Sequence, residues 1–199
     1  MDSNLDQTAT SLLARGVQEG EPAWDELCGR MIEPLRVWVD LHLHGAMRGR
    51  IDPADVMQET WARAMQNIRL FDSSKGTFRG WLFGIARNVL RDAFRANTSA
   101  NAGHGGTSWA ASLDQVTDRV RGFVQSVDRN DALQHLGETI RAFDESDQDL
   151  AICALEGLKL GDAAVRLGIS YEATAKRWQK LRARLASGPI ARELLELVE

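Results

Sequence analysis

Over residues 52–95 the apolar side chains recur with helical rather than strand periodicity, and this restricts the fold more than any other feature. Val56, Met57, Thr60, Trp61, Ala64, Met65 and Ile68 keep the three- and four-residue spacing that lines one side of an α-helix. Gln58, Glu59, Arg63 and Gln66 fall on the other side. Asp52 has the chemistry of an N-cap, Pro53 suits the first helical position, and Asp55 complements the positive end of the helix dipole. A polar loop at 72–76 follows, and Thr77 can cap a second helix with the apolar face Trp81, Leu82, Ile85, Ala86, Val89, Leu90 and Ala93. Two such stripes must be buried against other elements, so the segment predicts a helical bundle.

The rest of the chain agrees. Alternating β-branched runs are absent, while Ala, Leu and Arg dominate, so the fold class is all-α: two small helical domains joined by a flexible linker. A first helix is expected over about 21–44, broken or kinked at Pro34. Before it lies an acidic arm, residues 1–20, with the composition of a regulatory or disordered segment. Residues 97–112 are rich in Gly, Ser, Asn and Ala and read as linker, with Trp109 unusual in such company. Beyond 131 three more helices are expected: 146–156 ended near Gly157, 160–167 stopped by Gly168, and 171–185 capped by Ser170. A short helix, a glycine turn and a longer basic helix make a helix-turn-helix. Ala163, Ala164 and Leu167 should pack against Ile169, Thr174, Trp178 and Leu181. That leaves Lys176, Arg177, Lys180, Arg182 and Arg184 for solvent or phosphate. The expected division is an arm at 1–20, a domain at 21–96, a linker at 97–128, a domain at 129–187 and a tail at 188–199.

The net charge of −4 argues against a nucleic-acid partner until its distribution is considered. Residues 48–95 carry 9 basic and 5 acidic side chains, and residues 160–186 carry 6 and 2. Two basic islands thus sit in acidic surroundings, and local charge governs phosphate binding more than the global sum. Arg87, Arg91 and Arg95 repeat every four residues on one helix face and can hold phosphates, with Asn88 beside them. The bland alternative is a solvated face with Asp92 as internal partner.

Several classes drop out. His42 and His44 point apart on a helix, and His104 and His135 have no ligand-spaced neighbours, so no metal and no cofactor is expected. No P-loop, nucleophile elbow or glycine-rich nucleotide turn occurs, so no catalytic residues are assigned and an enzyme is not expected. No apolar run of about 18 residues exists, which argues against membrane insertion. The N-terminus is wrong for a secretory signal, and Cys28 and Cys153, each in an apolar segment, suit buried free thiols in a reducing cytoplasm better than the alternative of a disulfide.

Asp55-Val-Met-Gln58-Glu59-Thr60-Trp61, the tract Phe78-Arg-Gly-Trp81-Leu82-Phe-Gly-Ile85-Ala86-Arg87-Asn88 with Asp92 and Arg95, and Leu155-Glu156-Gly157-Leu158 followed by Ala163-Ala164, Leu167-Gly168-Ile169-Ser170 and Arg177 occur in this order. Together they resemble the extracytoplasmic-function sigma factors of bacterial RNA polymerase, over about 24–95 and 140–185. Two departures stand out. Phe143-Asp-Glu-Ser-Asp147 replaces a common Leu-Pro turn, and Ala173-Thr-Ala175 replaces a common Thr-Val-Lys, so no promoter sequence carries over.

The resemblance implies an alternative sigma factor that binds core RNA polymerase, recognises promoter DNA as duplex and melted strand, and nucleates strand opening. It implies polymerase docking through Asp55, Gln58 and Glu59. It implies downstream-element contacts from Ser74, Lys75, Thr77, Arg79, Arg87, Asn88, Arg91 and Arg95, the loop capturing a flipped base. It implies upstream-element contacts from Ser170, Glu172, Ala173, Lys176, Arg177, Lys180 and Arg184. Trp81 is expected in the core rather than as a stacking platform. An anti-sigma protein is a further candidate partner. Two rival readings are a helix-turn-helix regulator acting without polymerase, which leaves 52–95 unexplained, and a helical adaptor with no DNA role, which leaves the basic islands unexplained.

Overall fold

The structure, a computed structural model, describes residues 3–20, 23–43, 47–100, 122, 124–125 and 131–186. The linker residues 101–121 with Trp109 and His104, the ring of His44, and the tail from 187 lie outside the described residues. All regular structure among the described residues is helical. In chain order the helices are α1 (Ser3–Gln18), α2 (Trp24–His42), α3 (Pro53–Asn67), a 3-10 turn (Ile68–Leu70), α4 (Phe78–Ala100), α5 (Asp131–Arg141), α6 (Glu145–Leu155), α7 (Leu160–Leu167) and α8 (Tyr171–Ala186).

The amphipathic pair forms as its sequence dictates. The Asp52 side chain accepts the Ala54 amide at 2.8 Å, so α3 begins at Pro53. Its stripe Val56, Met57, Trp61 and Ala64 packs against Leu82, Phe83, Ala86, Val89 and Leu90 of α4, all of them buried. Pro34 does not break α2, which continues through it; the missing amide costs one intrahelical bond, and burial of Met31, Leu35 and Trp38 around it offsets that. The N-terminal arm is also a helix. α1 packs on α2, on α4 and on the 3-10 turn, with Ala14 fully buried. Gln18 Nε2 donates to the carbonyls of Ile68 and Phe71, both at 2.7 Å, and Ser11 Oγ accepts the Phe78 amide at 3.2 Å.

The C-terminal helices end where their glycines stand. Gly157 (φ 74°) and Gly168 (φ 67°) adopt the left-handed conformation that closes α6 and α7. At the turn where Leu-Pro is replaced, Asp144 caps α6 by accepting the Asp147 amide at 2.9 Å. Gln148 Nε2 ties down the carbonyls of Arg141 and Phe143 at 2.9 and 2.8 Å. Ala163, Ala164, Thr174 and Leu181 are buried between α7 and α8, as the helix-turn-helix pattern requires. Cys28 and Cys153 are buried and unbridged, and burial pushes the Cys28 thiol up to about 12, with Asp25 adding to it.

The two halves touch. α2 lies against α5 and α6, and the Trp38 indole donates to Glu156 Oε1 at 2.8 Å.

Candidate polymerase and nucleic-acid interface

On α3 the three docking candidates separate. Asp55 is exposed and Gln58 half-buried, but Glu59 is only 3% exposed. Glu59 Oε1 accepts from Arg63 Nε at 2.7 Å, and Arg63 Nη1 reaches Asp92 Oδ2 at 2.8 Å, so the three side chains bridge α3 to α4. The expectation that Glu59 lies on an open polar face is therefore corrected: Arg63, one turn on, turns the carboxylate inward. Partial desolvation, and then the charge of Asp52, push the Asp55 carboxyl above its ordinary range.

The loop after the 3-10 turn is built by its own polar groups. Asp72 Oδ1 accepts the Ser74 amide at 2.9 Å and its hydroxyl at 2.6 Å, and Lys75 Nζ lies 3.3 Å from Oδ2. These donors, the Ser74 hydroxyl first, hold the Asp72 carboxyl below its ordinary range. Thr77 Oγ1 accepts the Gly80 amide at 3.1 Å and caps α4. Beside the loop opens a cavity of about 360 Å³ lined by Leu70, Phe71, Asp72, Lys75, Gly76, Thr77, Gly80 and Trp81. Phe71, Phe78 and Trp81 form one aromatic cluster with centroids 5.5–5.7 Å apart. Trp81 is half-buried and lines this cavity, so it is not wholly a core residue as its position in the stripe suggested.

Further along α4, Asn88, Arg91 and Arg95 are exposed, and Arg91 donates to Asn88 Oδ1 at 2.6 Å. Asp92 is engaged by Arg63. Arg87 is half-exposed, and its Nη2 lies 3.1 Å from Glu156 Oε2. Arg79 is 5% exposed, so it is not an open phosphate ligand; it stands in the first turn of α4 beside buried Phe78.

At the second basic island Ser170 Oγ accepts the Ala173 amide at 3.2 Å and starts α8. Glu172, Ala173, Lys176 and Lys180 are exposed. Arg184 is paired with Asp147 at 2.7 Å and lies 3.9 Å from the Phe143 ring centroid, and Arg177 stands 3.9 Å from Asp147. The residue that sequence reasoning missed is Glu156. It is 1% exposed and accepts from Trp38, Arg87 and Arg166 at once. A carboxylate closing the apolar run Ala-Ile-Cys-Ala-Leu was the available signal.

A helical bundle that carries a loop cavity and an arginine stripe is thus followed by a helix-turn-helix. Residues 32–100 match the Sigma-70 region 2 family. RNA polymerase sigma factor CnrH of Cupriavidus metallidurans is 27% identical over 139 residues, covering 68% of this chain and 72% of that one. RNA polymerase sigma factor NccH of Alcaligenes xylosoxydans xylosoxydans is 28% identical over 137 residues, with the same coverage of 68% and 72%. No solved structure matches. Over 68% of its length the chain is thus similar to RNA polymerase sigma factors, and these findings support an alternative sigma factor that works with core RNA polymerase and promoter DNA in transcription initiation. Sigma factors are initiation factors rather than enzymes. Among the described residues no helix is long and apolar enough to cross a membrane, and no group of side chains could hold a metal ion.

Proposed function

We propose that residues 21–96, braced by α1, form the polymerase-docking and strand-opening domain, and that residues 129–187 read the upstream element, both acting in the cytoplasm. The cavity beside the 72–77 loop carries this reading. Its volume of about 360 Å³ falls within the roughly 300–1,000 Å³ of small-molecule sites. Among its lining residues Phe71 and Trp81 offer a flipped base a stacking surface, and Asp72, Lys75 and Thr77 offer it polar partners. α4 then runs from the cavity and presents Asn88, Arg91 and Arg95 to the phosphates of the same strand, joined by Arg87 once it leaves Glu156. Binding energy for the single strand drives opening without hydrolysis.

Docking on polymerase falls to Asp55 and Gln58, the accessible members of their set. On α8, Lys176 and Lys180 contact phosphates of the upstream duplex, with Ser170, Glu172 and Ala173 at the leading end of the helix nearest the bases. Arg177 and Arg184 are committed to Asp147 and serve chiefly to hold α8 on α6. The deciding experiment is co-purification with core polymerase followed by permanganate footprinting of a matched promoter. A Ser74→Ala/Lys75→Ala chain should keep core binding and closed complexes but lose thymine reactivity. Undiminished reactivity would take the loop out of strand opening.

A further inference from the structure

The positive charge of α8 is not all open to DNA. Residues 160–186 carry 6 basic side chains. Two of them, Arg177 and Arg184, are met by a single carboxylate from another helix. Arg177, Lys180 and Arg184 follow at spacings of three and four residues, so they share one stripe of α8. Lys180, in the middle, is exposed. The arginines on either side of it turn to α6. Arg184 Nη1 donates to Asp147 Oδ2 at 2.7 Å, and its guanidinium carbon lies 3.9 Å from the Phe143 ring centroid. Arg177 Nε stands 3.9 Å from Asp147 Oδ1.

Asp147 is firmly placed. It stands in the first turn of α6, where its amide donates to the Asp144 side chain at 2.9 Å and the positive end of the helix dipole favours its charge. Its side chain is only 12% exposed. A phosphate that drew Arg184 away would leave this carboxylate enclosed and uncompensated, and that cost opposes the exchange. At Lys176 and Lys180, both exposed, a phosphate meets no such resistance. Phe143-Asp-Glu-Ser-Asp147 is also the tract that replaces the common Leu-Pro turn, so the ring and the carboxylate that hold Arg184 arrive with the same departure.

We propose that Asp147 is a positioning residue for promoter recognition: it takes the place of a DNA phosphate and keeps Arg177 and Arg184 off the upstream duplex. α8 then grips the backbone through fewer contacts than its charge suggests. Phosphate contacts carry no sequence information, so withholding two of them weakens binding to every duplex alike. The leading end of the helix, from Ser170 to Ala173, is left with a larger share of the binding.

The proposal rests on reading α8 as the upstream-element helix, and the test separates the two ideas. Holoenzyme is assembled with each full-length chain. Closed-complex formation on one promoter duplex, selected from a library by the wild-type holoenzyme, is titrated from roughly 50 to 200 mM salt. Each phosphate contact contributes about 0.9 to the slope of log affinity against log salt, which is about 3.5-fold in affinity across that range. Lys180→Gln should flatten the slope by about one such contact; an unchanged slope there sinks the DNA reading of α8, and the proposal with it. Arg177→Gln should leave the wild-type slope as it is, because Asp147 already withholds that side chain. Flattening equal to that of Lys180→Gln overturns the proposal while upholding α8 as a DNA helix. Asp147→Asn keeps the shape and the amide bond to Asp144 but loosens both arginines. It should raise affinity at low salt and steepen the slope by about 0.9 for each arginine that reaches a phosphate. Weaker binding with no steepening makes Asp147 a packing residue only and contradicts the proposal. Glu145→Gln removes the same charge from an exposed position in the same turn of α6 and should leave the slope alone. Steepening equal to that of Asp147→Asn would reduce the effect to bulk charge and also contradict it. Should Asp147→Asn fail to fold, the Arg177→Gln arm decides alone.

Discussion

Charge reversal at Glu59 should destabilise the first domain rather than merely detach the protein from polymerase. The Glu59 side chain is 4% exposed, and its bond to Arg63 is charge-assisted at 2.7 Å. Its second oxygen has no hydrogen-bond partner, so the site holds one good bond and one orphaned acceptor. Glu59→Gln removes the charge but keeps the shape, and the loss should lie at the low end of the roughly 1.5–3 kcal/mol of a bond to a charged group. Glu59→Lys instead puts an ammonium beside the Arg63 guanidinium, and breaking a buried pair costs about 3–5 kcal/mol. At roughly 2–4 °C per kcal/mol for a chain of this size, the melting temperature should fall roughly 3–6 °C for Gln and roughly 6–20 °C for Lys. Asp92→Ala is a milder control: Arg63 and Asp92 are 34% and 42% exposed, and exposed pairs contribute at most about 1 kcal/mol. Thermal unfolding followed by far-UV circular dichroism reads all three. A Glu59→Lys chain melting within about 2 °C of the parent would refute the buried bridge, since exposed substitutions stay within about 0.5 kcal/mol.

Four other outcomes follow from the geometry. Asp55→Lys, at an exposed position, should leave the melting temperature unchanged and weaken core-polymerase binding in a pull-down; equal retention would place docking elsewhere. The Asp72 carboxyl is held low by Ser74 and Lys75, so its support of the loop is full above the ordinary carboxylate range and lost as pH falls through its lowered value; amide exchange at Ser74 should quicken only there, and Asp72→Ala should remove the pH dependence. Lys176→Glu with Lys180→Glu should cost roughly 1–3 kcal/mol per lost contact at the upstream element, read by footprinting, while core binding persists. Cys28, pushed up to about 12 by burial, should resist thiol reagents at pH 8 in the folded chain and react at once in urea; prompt labelling of the native protein would contradict its enclosure.

Local chemistry was legible where a residue acts on its own neighbourhood. Asp52, Thr77, Gly157, Gly168 and Ser170 set helix ends through backbone geometry or a short bond, and each stands where the sequence placed it. The stripes of α3 and α4 were legible for the same reason, because burial follows the helical period. What escaped was every role that depends on a residue far away. Glu59 and Arg79 look like surface residues until α4 and its surroundings enclose them. The first twenty residues look like an acidic arm until the partners of Ser11 and Gln18 are known. Glu156 looks like the end of a helix until Trp38 and Arg87 meet it. In the candidate site, therefore, the exposed lysines and the loop were readable, and the arginines held by carboxylates from other helices were not.

The grip of α1 on both ends of the 72–77 loop has a consequence during synthesis. Gln18 must find carbonyls 50 and 53 residues downstream, and Ser11 an amide 67 residues downstream. At roughly 5–20 residues per second, α1 leaves the ribosome about 3–13 s before its last partner exists. A helix of 16 residues is marginal alone, and although α2 is made soon after it, the side that packs on α4 waits uncovered for that interval. The cavity beside that loop therefore cannot take its final shape when its own loop is made. It takes shape when α1, made earlier, folds back and clamps it.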